Sequence, residues 1–281
     1  MSNTEFIPHH INATAADLAG NKGIGRYIFL PGSNGRAKEI AQHFDNLVIK
    51  QHSRGHDLYL GTITHQGQTI DVASIASGMG CPSMEIILHE LFKLGAKRFL
   101  RIGTAGSLQP DMVRLGDLVN AQASVRDERT TTDYVPLEVP ALASLEFTSA
   151  ILLSAEKLGL SDNVHTGTIH CKGSFYAREF GHGPMKEQNN KYMDLLSECG
   201  VLASEMETAA LFIQSQLYDF ELRQLDGRSP EHRVMAGAIL AIIAVPPHHI
   251  KASELATTAI HNAISLALEA VRTMAANECL K

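Results

Sequence analysis

Apolar and polar positions follow two periods along this chain, and the switches between them outline its elements. Arg26–Leu30 is an apolar run ended by Pro31-Gly32, as expected of a buried strand. Gly35–Phe44 then places Ala37, Ile40, Ala41 and Phe44 at helical spacing. Leu58–Thr64 and Thr69–Ala76 alternate as strands, joined by His65-Gln66-Gly67-Gln68 as a hairpin. After the glycine-rich turn Ser77–Gly80, Pro82 suits the first turn of a helix running to about Leu94. Strands are predicted at Arg98–Gly103, Leu118–Val125 and Val164–Cys171, and helices at Leu145–Leu158 and Glu187–Cys199. Ala203–Met206 reads as a short strand entering a helix at about Glu207–Gln216. Ala236–Val245 is almost wholly apolar, the composition of a strand buried on both faces. Ser253 caps a last helix to about Ala276, with Glu254 in its first turn. Tyr218–Arg233 carries Asp219, Glu221, Arg223, Asp226, Arg228, Glu231 and Arg233 around Gly227 and Pro230, and is expected to be a solvated surface excursion.

Alternating strands and helices imply an α/β fold with a mixed or mostly parallel sheet. No repeat or low-complexity tract divides the 281 residues, so one domain over 1–281 is expected. Hydrophobic residues make up 44% and charged residues 19%, enough apolar material for a full core. With 24 Lys plus Arg against 30 Asp plus Glu, the net charge is −6, which argues against nucleic-acid binding by bulk charge. No apolar run reaches the ~20 residues that span a bilayer, and no secretion leader is visible at MSNTEFIPHH. Cys81, Cys171, Cys199 and Cys279 lack CxxC spacing, and the histidines form no HExxH. Reduced cytoplasmic thiols and no metal site are the expectation.

In open α/β sheets ligands collect at the carboxyl ends of strands, so the strand-end turns are where chemistry is sought. Pro31–Arg36 pairs glycines with a helix start and Arg36, which suits an anion but, taken alone, fits an ordinary strand-to-helix turn with a surface arginine better; it lacks the GxxxxGK[ST] pattern. Arg101-Ile102-Gly103-Thr104-Ala105-Gly106 ends a buried strand. An arginine there needs a partner, either a core carboxylate or a phosphate whose oxygens match its fork. Ser204-Glu205-Met206-Glu207 sets two carboxylates on one side of an extended segment, able to accept from vicinal hydroxyls or simply to favour the following helix.

Taken together these turns resemble the nucleoside phosphorylases of the uridine phosphorylase and hexameric purine nucleoside phosphorylase type. The likeness runs through His10–Thr14 with Asp17-Leu18, LPGSNGRA at 30–37, AQHFDN at 41–46 and HSRGHDLYLG at 52–61. It continues through SGMGCPS at 77–83, the helix Glu85–Leu94, FLRIGTAGSLQ at 99–109, GDLV at 116–119, CKGSFYAR at 171–178 and SEMETAALF at 204–212. Ser124-Val125-Arg126, Val139-Pro140 and CKGSFY lean toward the uridine phosphorylases. The resemblance implies a three-layer sandwich with a mixed central β-sheet flanked by helices. It implies a pentosyltransferase that releases a free base and (deoxy)ribose 1-phosphate from uridine or a related pyrimidine nucleoside, with inorganic phosphate as co-substrate and no cofactor. By position, Gly32, Arg36, Arg54, Arg101 and Thr104 match the phosphate site, with Arg54 donated by a neighbouring subunit. His10, Glu205, Met206 and Glu207 match the ribose site, His10 reaching across a dimer contact. Phe175 matches an aromatic against the base or sugar. Arg101, Glu207 and Arg178 are the expected catalytic group. A homo-oligomer with shared sites, a hexamer built from dimers, is implied, with no nucleic-acid or membrane partner.

The base readers depart from the pattern. Where the family has Gln and Arg after Phe-Tyr, this chain runs Phe175-Tyr176-Ala177-Arg178-Glu179-Phe180-Gly181-His182, leaving Arg178 near the Gln position as base-binding candidate and Gln188 further on. The purine-type Asp has no counterpart in Val245-Pro246-Pro247-His248-His249. Gly55 replaces the glutamate that binds potassium in some members, so no metal is expected. A purine nucleoside phosphorylase, a nucleoside hydrolase and a non-catalytic nucleoside-binding relative remain as alternatives. Arg101→Ala is expected to abolish phosphate-dependent turnover while leaving the fold intact, with turnover and circular dichroism as the measurements.

Overall fold

A computed structural model of the chain describes residues 6–226, 233–245 and 253–279. In chain order the elements are α1 (Ala15–Leu18), β1 (Tyr27–Pro31), α2 (Asn34–Ala41), β2 (Asp45–Lys50), β3 (Leu58–His65), β4 (Gln68–Ser74), α3 (Cys81–Lys93), β5 (Arg98–Ser107) and β6 (Leu118–Asp127). They continue with β7 (Ala141–Leu142), α4 (Leu145–Lys157), β8 (Val164–Lys172), α5 (Phe175–Phe180), α6 (Lys186–Glu198), β9 (Ala203–Glu205), α7 (Thr208–Asp226), β10 (Met235–Ala244) and α8 (Glu254–Cys279).

Ten strands share one mixed sheet among the described residues, in the order β10-β6-β8-β9-β5-β1-β4-β3-β2 with β7 on β6. A further parallel pairing joins β10 to β5, so β5, β10, β6, β8 and β9 form a closed ring while β1, β4, β3 and β2 extend it as an open sheet. The parallel core pairs β1 with β4 and β5, β5 with β10, and β6 with β8. β3 and β4 form the expected hairpin.

Helices cover both faces, giving the three layers expected. On one face α3 and α7 pack against each other and the sheet, through Leu88, Leu91, Leu211 and Phe212. On the other, α4 and α8 do the same with Phe147, Ile151, Ala263 and Ala267, and α2 adds Ile40. β10 is apolar on both sides because both layers press on it, as its composition implied.

The expected excursion at Tyr218–Arg233 is corrected over its first half. α7 runs on to Asp226. Tyr218 stacks on Phe92 with ring centroids 3.6 Å apart and donates to or accepts from His89 Nδ1 at 2.7 Å. Asp219 is buried and ion-paired with Arg223 and Arg233. The buried Asp219 thus gathers two arginines whose outer ends stay in solvent, on a helix and not a loop. Residues 227–232, and the turn at 246–250, lie outside the described residues.

The packing of β10 against α4 leaves no space at Gly237, where a Cβ would stand 2.7 Å from Phe147 Cβ. Gly237→Ala should therefore lower stability by about 1–3 kcal/mol through overpacking. The check is the urea midpoint at an unchanged slope.

Candidate active site

The carboxyl ends of β1, β5, β8, β9 and β10 surround a cavity of about 180 Å³. Its position follows from the parallel strand directions, which bring successive strand-end turns to one edge. One wall carries cations. Gly32 follows β1, Arg36 sits in the first turn of α2, and Arg101 and Thr104 come from β5. Ser33 caps α2 by accepting from Arg36 N at 3.3 Å.

Arg101 is 3% exposed in the middle of the sheet, paired in register with Leu30 and Ala238. Burying a guanidinium there requires charge compensation. Both carboxylates of the Ser204–Glu207 turn supply it. Arg101 Nε donates to Glu205 Oε2 at 3.1 Å, and Nη2 donates to Glu207 Oε2. Arg101 Nη1, equally buried, has no hydrogen-bond partner among the described residues. Gly103 makes room for this arrangement, because a Cβ there would lie 3.0 Å from both Nε and Nη2.

The two carboxylates differ. β9 ends at Glu205, whose oxygens also accept from Thr208 N at 2.9 Å, Thr208 Oγ1 at 2.6 Å and Glu207 N at 2.9 Å, so it caps α7 from inside. Burial pushes its carboxyl up, but Arg101 and the Thr208 and Glu207 bonds outweigh that and hold it below the usual glutamate value. Glu207 accepts from Gly80 N at 2.6 Å and from Arg101. Burial, reinforced by the charge of Glu205 and only partly opposed by Arg101, raises it above the usual value. Arg36 is pushed down by burial and by the nearby Arg101, against Glu39, and forms no ion pair among the described residues. Two guanidinium groups therefore share a wall, and among the described residues Arg36 forms no ion pair and Arg101 Nη1 no hydrogen bond.

The cavity is also lined by Phe175, Lys172, Glu179, Ser204 and the glycine edge at Gly106. Lys172 is 2% exposed; its Nζ donates to Ser204 Oγ at 2.8 Å, pairs with Glu179 Oε2 at 3.0 Å and stands 5.7 Å from the Phe175 ring centroid. Among the described residues this ion pair is the contact of Glu179 Oε2, and it lacks hydrogen-bond geometry. Gly106 admits that side chain, since a Cβ there would meet Glu179 Oε1 at 2.9 Å. No group of His, Cys, Asp and Glu able to hold a metal occurs among the described residues.

The structure thus brings together Gly32, Arg36, Arg101, Thr104, Phe175, Glu205, Met206 and Glu207. Three expected residues stand outside. His10 is tied to Glu90, through Nδ1 at 2.7 Å and its backbone N at 2.9 Å. Arg54 lies exposed between β2 and β3. Arg178 points its guanidinium at Asp127 and Asn189 and lines a neighbouring depression of about 650 Å³. Lys172, Glu179 and Ser204 were not among the sequence candidates, although Lys172 lies within the CKGSFYAR run and Glu179 directly follows it.

A family model described as the Phosphorylase superfamily matches residues 26–226. The chain is 33% identical over 270 residues to a uridine phosphorylase of Treponema pallidum, covering 95% of this chain and 93% of the relative. It is 34% identical to a uridine phosphorylase of Haemophilus influenzae over 72% of this chain and 78% of the relative. To a DeoD-type purine nucleoside phosphorylase of Streptococcus suis it is 32% identical over 72% of this chain and 78% of the relative.

The two carboxylates on Arg101 correct the expectation that Arg101→Ala spares the fold, because that change strands buried charge. It should cost about 3–5 kcal/mol, whereas Arg36→Ala should stay within about 0.5 kcal/mol. Urea midpoints of the two variants check both.

Proposed function

The chain belongs to the phosphorylase superfamily, and from that premise we propose that it catalyses phosphorolysis of nucleosides carrying a uracil-type base, giving the free base and a pentose 1-phosphate. The observation that carries this reading is the buried Arg101. Two of its nitrogens are spent on Glu205 and Glu207, and Nη1 is left for an acceptor from outside. Orthophosphate between that nitrogen and Arg36, against Thr104 and the Gly32 backbone, satisfies it. A nucleosidase acting with water has no use for this paired cation wall.

The sugar then lies over Met206, with Glu207 accepting from its hydroxyls. As the C1′–N bond lengthens, its electron pair moves to the base and C1′ gains positive character. Phosphate oxygen, held below the ring, forms the new bond to C1′. The anion and the ionised Glu205 and Glu207 stabilise the cationic sugar in a site shielded from water. Inorganic phosphate is the co-substrate, and no step calls on another cofactor.

At the base end, the Lys172 ammonium keeps hydrogens beyond the one given to Ser204. It can donate to a base carbonyl and carry the proton that the departing base takes up, solvent restoring it afterwards. Glu179 Oε2 is ion-paired with Lys172, and its carboxylate can also accept from a ring N–H next to that carbonyl. Uracil presents this carbonyl and imide pair. A 6-oxopurine presents a similar pair, and the 32% identity to a purine nucleoside phosphorylase keeps it as the second reading. Arg54 and His10, remote in one chain, are proposed to act from a second copy, as the family resemblance implies.

Base release from uridine should require phosphate, exceed release from inosine and adenosine, and fall away when phosphate is withheld; release without phosphate would overturn the reading. Arg36→Ala should raise the KM for phosphate about tenfold to hundredfold, the scale of one charged hydrogen bond. Glu207 must be ionised to accept from the sugar, and its carboxyl is raised by burial. Activity should therefore be present at high pH and lost as pH falls through a value above the usual glutamate range. That acid limb of kcat/KM should disappear from the residual activity of Glu207→Gln.

A further inference from the structure

The residue expected beside the base is instead one end of a buried polar chain. Arg178 grips Asp127 through Nε to Oδ2 at 2.6 Å and Nη2 to Oδ1 at 2.8 Å. Its Nη1 donates to Asn189 Oδ1 at 2.6 Å, and the guanidinium lies 4.6 Å over the Tyr192 ring. Asp127 Oδ2 also meets His170 Nε2 at 3.0 Å. His170 Nδ1 meets Ser204 Oγ at 3.0 Å, and Ser204 Oγ accepts from Lys172 Nζ at 2.8 Å. His170, Ser204 and Lys172 are 0%, 1% and 2% exposed.

The chain has a direction. Asp127, ionised against Arg178 and held below the usual aspartate value despite burial, can only accept. An imidazole that gives its Nε2 hydrogen to Asp127 can accept at Nδ1. Ser204 gives its hydrogen to Nδ1, and its lone pairs face Lys172. A serine hydroxyl is a free rotor, and a lysine has four rotatable bonds. Without His170 fixing the hydroxyl, the ammonium can swing wholly onto Glu179, 3.0 Å away. That would consume both the donor and the acceptor needed for the base.

We propose that Arg178, Asp127, His170 and Ser204 are positioning residues that hold the Lys172 ammonium at the base end of the cavity. This rests on the reading of Lys172 as donor to the departing base. None of the four need touch substrate except Ser204, which lines the cavity. Their effect is on how well the base leaves, not on how phosphate binds.

The test compares uridine with 5-fluorouridine, whose more acidic base leaves with less help from a donor. Ser204→Ala should lower kcat for uridine by about tenfold or more, part of what a positioned acid contributes. It should lower kcat for 5-fluorouridine by a clearly smaller factor and leave the KM for phosphate unchanged. His170→Gln keeps the reach to Asp127 but loses Ser204, and should give the same pattern. Combined with Ser204→Ala it should add little, because both variants break one chain. Equal losses on the two nucleosides, or losses that multiply, would overturn the positioning chain while uridine phosphorolysis by the wild type still stands. A wild type that does not phosphorolyse uridine removes the underlying reading and this proposal with it. Where His170→Gln does not fold, Ser204→Ala alone decides.

Discussion

Everything at the site depends on how one guanidinium is compensated inside the sheet. Arg101 sits on a central strand, where an unpaired charge would cost several kcal/mol. Glu205 and Glu207 neutralise it, Gly103 leaves it space, and Gly80 holds the second carboxylate in place. The RIGTAG and SEMETAALF runs are thus two halves of one electrostatic unit, 104 and 106 residues apart at their contacts. What the unit leaves over, a buried donor beside Arg36, is what an external anion can use.

The ring closure of the sheet explains why this unit stands next to a second polar cluster. β9 pairs antiparallel with β5 and parallel with β8, so Ser204 lies opposite both Gly106 and His170. That short strand carries Lys172's acceptor Ser204 next to Glu205, with Glu207, the second carboxylate on Arg101, in the turn that follows. Ser204, Glu205, Met206 and Glu207, from the end of one strand and the turn that follows it, therefore line one cavity together.

Much of the fold was legible, for physical reasons that vary by element. Strands β1, β3, β4, β5 and β10 announce themselves because burial on one or both faces forces apolar periodicity. β2 was not visible, as Asp45–Ile49 is exposed along its length and has no inward face. The extension of α7 was hidden because Asp219, Arg223 and Arg233 look like a solvated face until their mutual ion pairs are seen. At the site, Arg101, Glu205 and Glu207 stood out by type and turn position. Lys172 and Glu179 did not, since their meaning comes from Ser204, 32 residues from Lys172, and from a cavity that sequence spacing does not reveal. Arg178 stood out in the sequence for the right neighbourhood, but Asp127, 51 residues away, holds it outside the cavity.

Calorimetric titration of orthophosphate into the protein tests the cation wall most directly. The account predicts uptake of one anion per chain, with affinity that falls as salt screens the arginines and drops about tenfold or more in Arg36→Ala. Equal affinity in the wild type and Arg36→Ala, or no uptake of phosphate by the folded protein, would contradict it.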